Sequence, residues 1–243
     1  MKIIVGDSYQ SMCRLAVTDV IEKMGLYQSP LLCPASGDTT LGFFKELVYR
    51  HAAEKLNFSS WLYIGLDEWI GLNKTDEGSC HNALDNQLFQ PLMVEENNIC
   101  FFDGRAADAE NECTRIETFI NRHGAIDVAV LGLGMNGHTG MNEPGTSPLV
   151  RSHVSMLDAQ TQEVSKKYFK DQRSVSAGIT LGMATLLEAR HIFLLVNGSH
   201  KADIVKKVIE GNITDAVPAS LLRTHANLYI YLDADAAALL QTN

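Results

Sequence analysis

His138 and Glu143 stand five positions apart inside GLGMNGHTGMNEPG, residues 132–145. An imidazole titrates near neutral pH and can move a proton between the ring atoms of a sugar, while a nearby carboxylate orients it and fixes its tautomer. The surrounding glycines would let the backbone pass close to a small ligand. Residues 132–137 also satisfy G-x-G-x-x-G, but a dinucleotide-binding turn of that kind must open a helix. Here Thr139, Gly140, Asn142, Glu143, Pro144 and Gly145 follow, with no helix start, so a loop that holds a proton-transfer pair is the better reading. Asp67 and Glu68 lie in a second candidate segment, DEW, directly after the apolar residues 62–66 and beside Trp69 and Ile70. A carboxylate in apolar surroundings can act as a general base because burial raises its pKa. An Asp that caps the next turn would look the same in sequence.

Two further segments could hold an anion. Ser36, Gly37, Asp38, Thr39 and Thr40 precede a segment with apolar residues at Leu41, Phe44 and Leu47, and hydroxyls with free N–H groups at a helix start bind phosphate. Asp38 is the misfit in that loop, since its charge opposes a dianion. We expect it to turn toward the amino terminus of the following helix, where a negative charge is favoured. Gly198, Ser199, His200 and Lys201 open another helical segment, and Lys201 offers the point charge a phosphate needs.

These loops need a scaffold, and the apolar runs supply it. Short β-branched runs at residues 3–5, 31–33, 62–66, 99–102, 126–131, 192–196 and 228–232 read as buried strands. Between several of them lie segments of helical period, ending at Gly25, Gly124 and Gly211, each a residue suited to a helix C′ position. Alternating strands and helices imply an α/β fold: a single domain over residues 1–243, built as a mostly parallel sheet with helices on both faces. In such a sheet ligands bind beyond the carboxyl ends of the strands, where the candidate loops fall.

The whole chain limits its partners. Its 243 residues are 46% hydrophobic and 20% charged, which excludes a disordered or fibrous protein. Lys plus Arg is 20 against 29 for Asp plus Glu, a formal charge of −9, so neither nucleic acid nor an anionic membrane is expected as a partner. Cys13, Cys33, Cys80, Cys100 and Cys113 contain no C-x-x-C pair, so no disulfide framework and no metal site is expected, as suits a reducing cytoplasm. MKIIVGDSYQ offers only a short apolar run, and no stretch nears the roughly 18 apolar residues of a membrane span, so export and insertion are not expected.

LDEW (residues 66–69), GLGMNGHTGMNEPG (132–145), GITLG (178–182) and PAS (218–220) together resemble the glucosamine-6-phosphate deaminase family, in the family's order and over nearly the whole chain. The resemblance implies conversion of a 2-amino-2-deoxyhexose 6-phosphate to a ketose 6-phosphate and ammonia, without metal or organic cofactor. It implies that Asp67 carries the proton from carbon 2 to carbon 1, that His138 opens the pyranose ring, and that Glu143 is the acid of its relay. It further implies that Ser36, Gly37, Thr39, Lys167 and Lys201 hold the phosphate. Asn136 stands where the family often has Asp, Asp38 where it usually has Gly, and Lys167 where it usually has Arg, which loses a bidentate fork. Thr146, His153 and Ser155 occupy positions that allosteric members use to bind an activator, so that route of activation looks lost. Trp69, the form of the loop at residues 140–144 and GITLG look more like galactosamine 6-phosphate members, which points to the galacto epimer. The oligomeric state is left open between monomer and small homo-oligomer. The competing functions are a 6-phosphogluconolactonase, which is a hydrolase, and a non-catalytic sugar-phosphate sensor; the sequence has no basic helix-turn-helix segment to go with the latter.

Overall fold

Side-chain alternation along the central strands sorts the core into two apolar layers. Strand β2 (Leu31–Pro34) sends Leu31 and Cys33 to one layer and Leu32 to the other, and β6 (Val128–Gly132) sends Ala129 and Leu131 one way, Val128 and Val130 the opposite way. Strands covered on both faces have no polar side, which is why they read as continuous apolar runs. A computed structural model describes residues 1–170 and 173–241. The other strands among them are β1 (Lys2–Gly6), β3 (Leu62–Ile64), β4 (Asp67–Trp69), β5 (Ile99–Cys100), β7 (His153–Met156), β8 (Ala177–Thr180), β9 (His191–Val196) and β10 (Leu228–Asp233). The helices are α1 (Tyr9–Met24), α2 (Leu41–Glu54), α3 (Cys80–Leu84), α4 (Ala109–His123), α5 (Ala159–Ser165), α6 (Met183–Leu187), α7 (Ala202–Glu210) and α8 (Pro218–Leu221).

Seven strands form one parallel sheet in the order β1-β10-β9-β6-β2-β3-β5. Helices α1 and α2 cover one face through Met12, Ala16, Val17, Phe43, Phe44 and Leu47; α4, α6 and α7 cover the other through Ile116, Ile120, Met183, Leu186, Val205 and Val208. The expected α/β class and mostly parallel sheet are therefore present. Several helices start on a side-chain cap: Ser8 accepts from Ser11 N–H, and Asp108 from Glu110 and Asn111 N–H.

One local expectation fails, for a physical reason. The run 62–66 does not continue into a loop carrying DEW. The chain leaves the parallel sheet at Gly65, where the Phe101 ring lies 2.6 Å from where a Cβ would be, and Asp67–Trp69 becomes the edge of a second, antiparallel sheet, β4-β8-β7. GITLG supplies the middle strand of that sheet, and Gly178 is required because Met141 Sδ occupies the place of its Cβ, 1.8 Å away. Of the three helix-ending glycines only Gly124 uses a positive φ, +105°; Gly25 and Gly211 have φ of −63° and −75°. Among the described residues no helix is long and apolar enough to cross a membrane.

Candidate active site

A cleft of about 530 Å³ opens beyond the carboxyl ends of β2, β6 and β9. Ser36, Gly37, Thr39, Asp67, Asn136, His138, Lys167 and Lys201 all line it, and Glu143 stands just behind His138. The segment after Gly132 contains no helix, as its residues led us to expect.

Asp67 is the buried acid of the cleft, 8% exposed. Burial raises its carboxyl to about 7, helped by the charge of Glu68 and opposed by the Cys80 thiol. The Cys80 thiol, buried beside two carboxyls, is itself pushed well above its usual range. Glu68 faces away from the ligand space and has a scaffolding job. Its Oε1 accepts from Trp69 N–H at 2.8 Å and Cys80 N–H at 2.9 Å, and its Oε2 accepts from His81 N–H at 3.0 Å. One buried carboxyl thereby joins β4 to the start of α3 and fixes the backbone that carries Asp67.

The relay is built around one amide. Asn136 Oδ1 accepts from His138 backbone N–H at 3.1 Å and lies 2.8 Å from His138 Nδ1, while Asn136 Nδ2 donates to Glu143 Oε2 at 2.7 Å. The carboxylate and the backbone N–H orient the amide, so the oxygen faces the ring and Nδ1 must carry the proton. Nε2 then keeps its lone pair. Glu143 Oε2 sits 3.6 Å from Nδ1, and Thr161 Oγ1 on α5 sits 3.3 Å from it. Burial pushes the Glu143 carboxyl upward, but its contacts with His138, Thr161 and Asn136 outweigh that and leave it below the usual carboxylate range. Gly134 is obligatory here, because a Cβ would come within 2.3–2.4 Å of the His138 ring atoms. Asn142 closes the loop, donating to Thr139 O at 3.0 Å and Leu181 O at 2.9 Å.

Lys201 and Lys167 mark the cationic end. Lys201 Nζ donates to Leu133 O at 2.6 Å, and burial together with the charge of Lys167 lowers its pKa to about 8, opposed by Asp38. Asp38 does not face the following helix as expected: its carboxylate pairs with Lys167. The amino terminus of α2 is already served by Tyr9, whose hydroxyl accepts from Gly42 N–H at 2.6 Å and donates to Thr39 O at 2.9 Å. Thr40 does not cap α2 either; its hydroxyl bonds Ala35 O and Gly37 O at 2.9 and 3.0 Å and holds the loop closed. The Lys167 segment is anchored by Trp69, whose ring packs against Tyr168 and Phe169 at centroid distances of 6.4 and 6.3 Å.

The positions of Cys80 and Thr161 and the scaffolding bonds of Glu68 have no signature in the sequence, because their partners come from other elements. Among the described residues no group of three or more His, Cys, Asp and Glu side chains could hold a metal ion.

Residues 15–230 match the family of glucosamine-6-phosphate isomerases and 6-phosphogluconolactonases. A glucosamine-6-phosphate deaminase of Oceanobacillus iheyensis is 38% identical over 98% of this chain and 95% of its own length. Glucosamine-6-phosphate deaminase 1 of Bacillus subtilis is 34% identical over 98% of this chain and 99% of its own. The solved structure of a monomeric glucosamine-6-phosphate deaminase superposes with a TM-score of 0.95 at 33% identity, covering 99% of this chain and 100% of that one. A 6-phosphogluconolactonase from Trypanosoma brucei, at 19% identity and a TM-score of 0.76 over 99% of this chain and 98% of that one, shares the fold. With the family model spanning most of the sequence and full-length relatives above 30% identity, the chain belongs to the glucosamine-6-phosphate isomerase/6-phosphogluconolactonase family.

Proposed function

We propose that the chain is an amino-sugar-phosphate deaminase that converts glucosamine 6-phosphate to fructose 6-phosphate and ammonia. The observation that carries this reading is the meeting, in one cleft, of a buried Asp67 raised to about 7 with a His138 whose tautomer Asn136 and Glu143 fix. His138 Nε2 takes the proton of the anomeric hydroxyl and returns it to the ring oxygen as the ring opens. Asp67 takes the proton from carbon 2 of the open-chain aldehyde, whose ammonium passes a proton to the carbonyl oxygen, and the neutral enolamine so formed receives the Asp67 proton at carbon 1. The resulting carbon 2 iminium adds water and expels ammonia. Lys201, Lys167 and the N–H groups and hydroxyls of the loop with Ser36, Gly37 and Thr39 hold the phosphate.

The relatives carry the gluco name. Of the features pointing to the galacto epimer, Gly178 answers to Met141 and Trp69 packs on Tyr168 and Phe169, so both have packing reasons unrelated to carbon 4. A lactonase has no use for a proton carrier between two carbons, and a sensor has no use for a relay. Ammonia release from glucosamine 6-phosphate and galactosamine 6-phosphate, assayed side by side, tests the proposal. Release from the gluco epimer with the higher kcat/KM is expected. No ammonia from either, or hydrolysis of a sugar-phosphate lactone instead, overturns it.

A further inference from the structure

Among the described residues that line the cleft, Asp38 is a carboxylate that the proposed chemistry leaves without a task. It sits on the loop between β2 and α2, where Gly37 takes a φ of +144° and Thr40 pins the backbone, and its side chain is 63% exposed. Its carboxylate crosses to Lys167, 129 positions along the chain. Lys167 is 46% exposed and stands on the segment that Trp69 anchors. The two ends of this ion pair therefore belong to facing walls of the cleft, both of them lining residues. Lys201 lies within electrostatic reach of both, since Lys167 lowers its pKa and Asp38 raises it.

Two lysines and one carboxylate leave this end of the cleft with one net positive charge where the lysines alone would give two. An exposed ion pair is weak and exchangeable, so a stronger anion can take the lysine over. We propose that Asp38 is an internal competitor for the anionic group of the ligand: in the free protein it holds Lys167, and a phosphate dianion gains that lysine only by displacing the carboxylate. This rests on the reading that the ligand is a sugar phosphate, and it adds a residue that sets affinity. The segment that carries Lys167 also carries Thr161, which lies 3.3 Å from His138 Nδ1, so the exchange takes place on the wall that touches the proton relay.

Calorimetric titration with inorganic phosphate at fixed ionic strength tests the proposal on the wild type, Asp38→Asn, Lys167→Ala and the double variant. Asp38→Asn should tighten phosphate binding about ten-fold, ~1.4 kcal/mol. In the Lys167→Ala background the same change should matter less than about two-fold, because the held lysine is gone. With sugar phosphate as substrate, KM should fall in Asp38→Asn by a larger factor than any change in kcat. Binding that is unchanged or weaker in Asp38→Asn overturns the proposal. So does an equal gain in both backgrounds, which would mean that Asp38 acts by its field alone. Asp38→Ser, which also lacks the charge, must behave like Asp38→Asn. Ammonia release by the wild type is measured in parallel: its absence would sink the deaminase reading, whereas the phosphate titration decides the role of Asp38 by itself.

Discussion

Asp67 and Lys201 are displaced from their usual pKa values in opposite senses, and both displacements come mainly from burial. As the proposed base, Asp67 must be ionised to accept a proton, so kcat/KM should fall as pH drops through about 7. Lys201 must be charged to attract a dianion, so kcat/KM should also fall as pH rises through about 8. A pH profile of kcat/KM should therefore be a narrow bell between those values, and a profile flat across that window would refute both roles. Asp67 also links activity to stability. The folded chain keeps a proton that the unfolded chain releases above 3.8, so the contribution of Asp67 to stability is fully present below that pH and is lost as pH rises through about 7. Asp67→Asn removes that cost. Its kcat should drop by about 10²- to 10⁴-fold, while its unfolding free energy at alkaline pH should exceed wild type by on the order of 1–4 kcal/mol. The stability difference should vanish in acid, and urea titrations at the two pH extremes would reveal it. Asn136→Ala should slow ring-closed substrate more than an open-chain analogue, because the lost amide fixes the tautomer used in ring opening.

At the scale of elements, the site depends on how β4 is tied to its neighbours. Glu68 satisfies three backbone donors with one carboxyl, and an amide at that position would set N–H against N–H. Glu68→Gln should cost about 1–3 kcal/mol and should slow carbon 2 hydrogen exchange in deuterated solvent, since Asp67 rides on the same strand. Wild-type stability in that variant would mean the three bonds are dispensable. The loop after β6 makes the complementary case. Gly134→Ala would push a methyl into the His138 ring, so its kcat should fall well before its melting temperature does.

Across the whole molecule, the sheet separates an end that does chemistry from an end that holds the fold. Asp127 directly precedes β6, at the end opposite the cleft. It accepts from Leu31 N–H at 2.8 Å and pairs with His123 at 3.1 Å and Arg190 at 3.0 Å. Asp127 is 3% exposed, while Arg190 is half-exposed and can turn to water, so losing the carboxylate charge mainly weakens the buried bond to Leu31 and the contact with His123. Asp127→Asn should lower unfolding free energy by about 1–3 kcal/mol with kcat and KM unchanged at temperatures where the variant remains folded. A change in KM would show that the two ends are coupled.

The sequence by itself determined the parallel sheet, because burial on both faces writes an apolar run into each central strand and burial is a property of local composition. It also determined that Asp67, His138 and Lys201 would share a cleft, since each follows an apolar run and the strand ends of such a sheet converge. What it left undecided depended on distant neighbours. The DEW segment became a strand because β8, more than a hundred positions away, offered it backbone partners. Helix α1 ended after Met24 at Gly25 in ordinary helical φ, so glycine there was permitted rather than required. Asp38 found Lys167 and not the helix behind it, because Tyr9 had already filled that helix terminus and a lysine from another segment stood within reach. Local periodicity records which face of an element is buried; which charged group meets which is set by the approach of segments whose sequences carry no sign of one another.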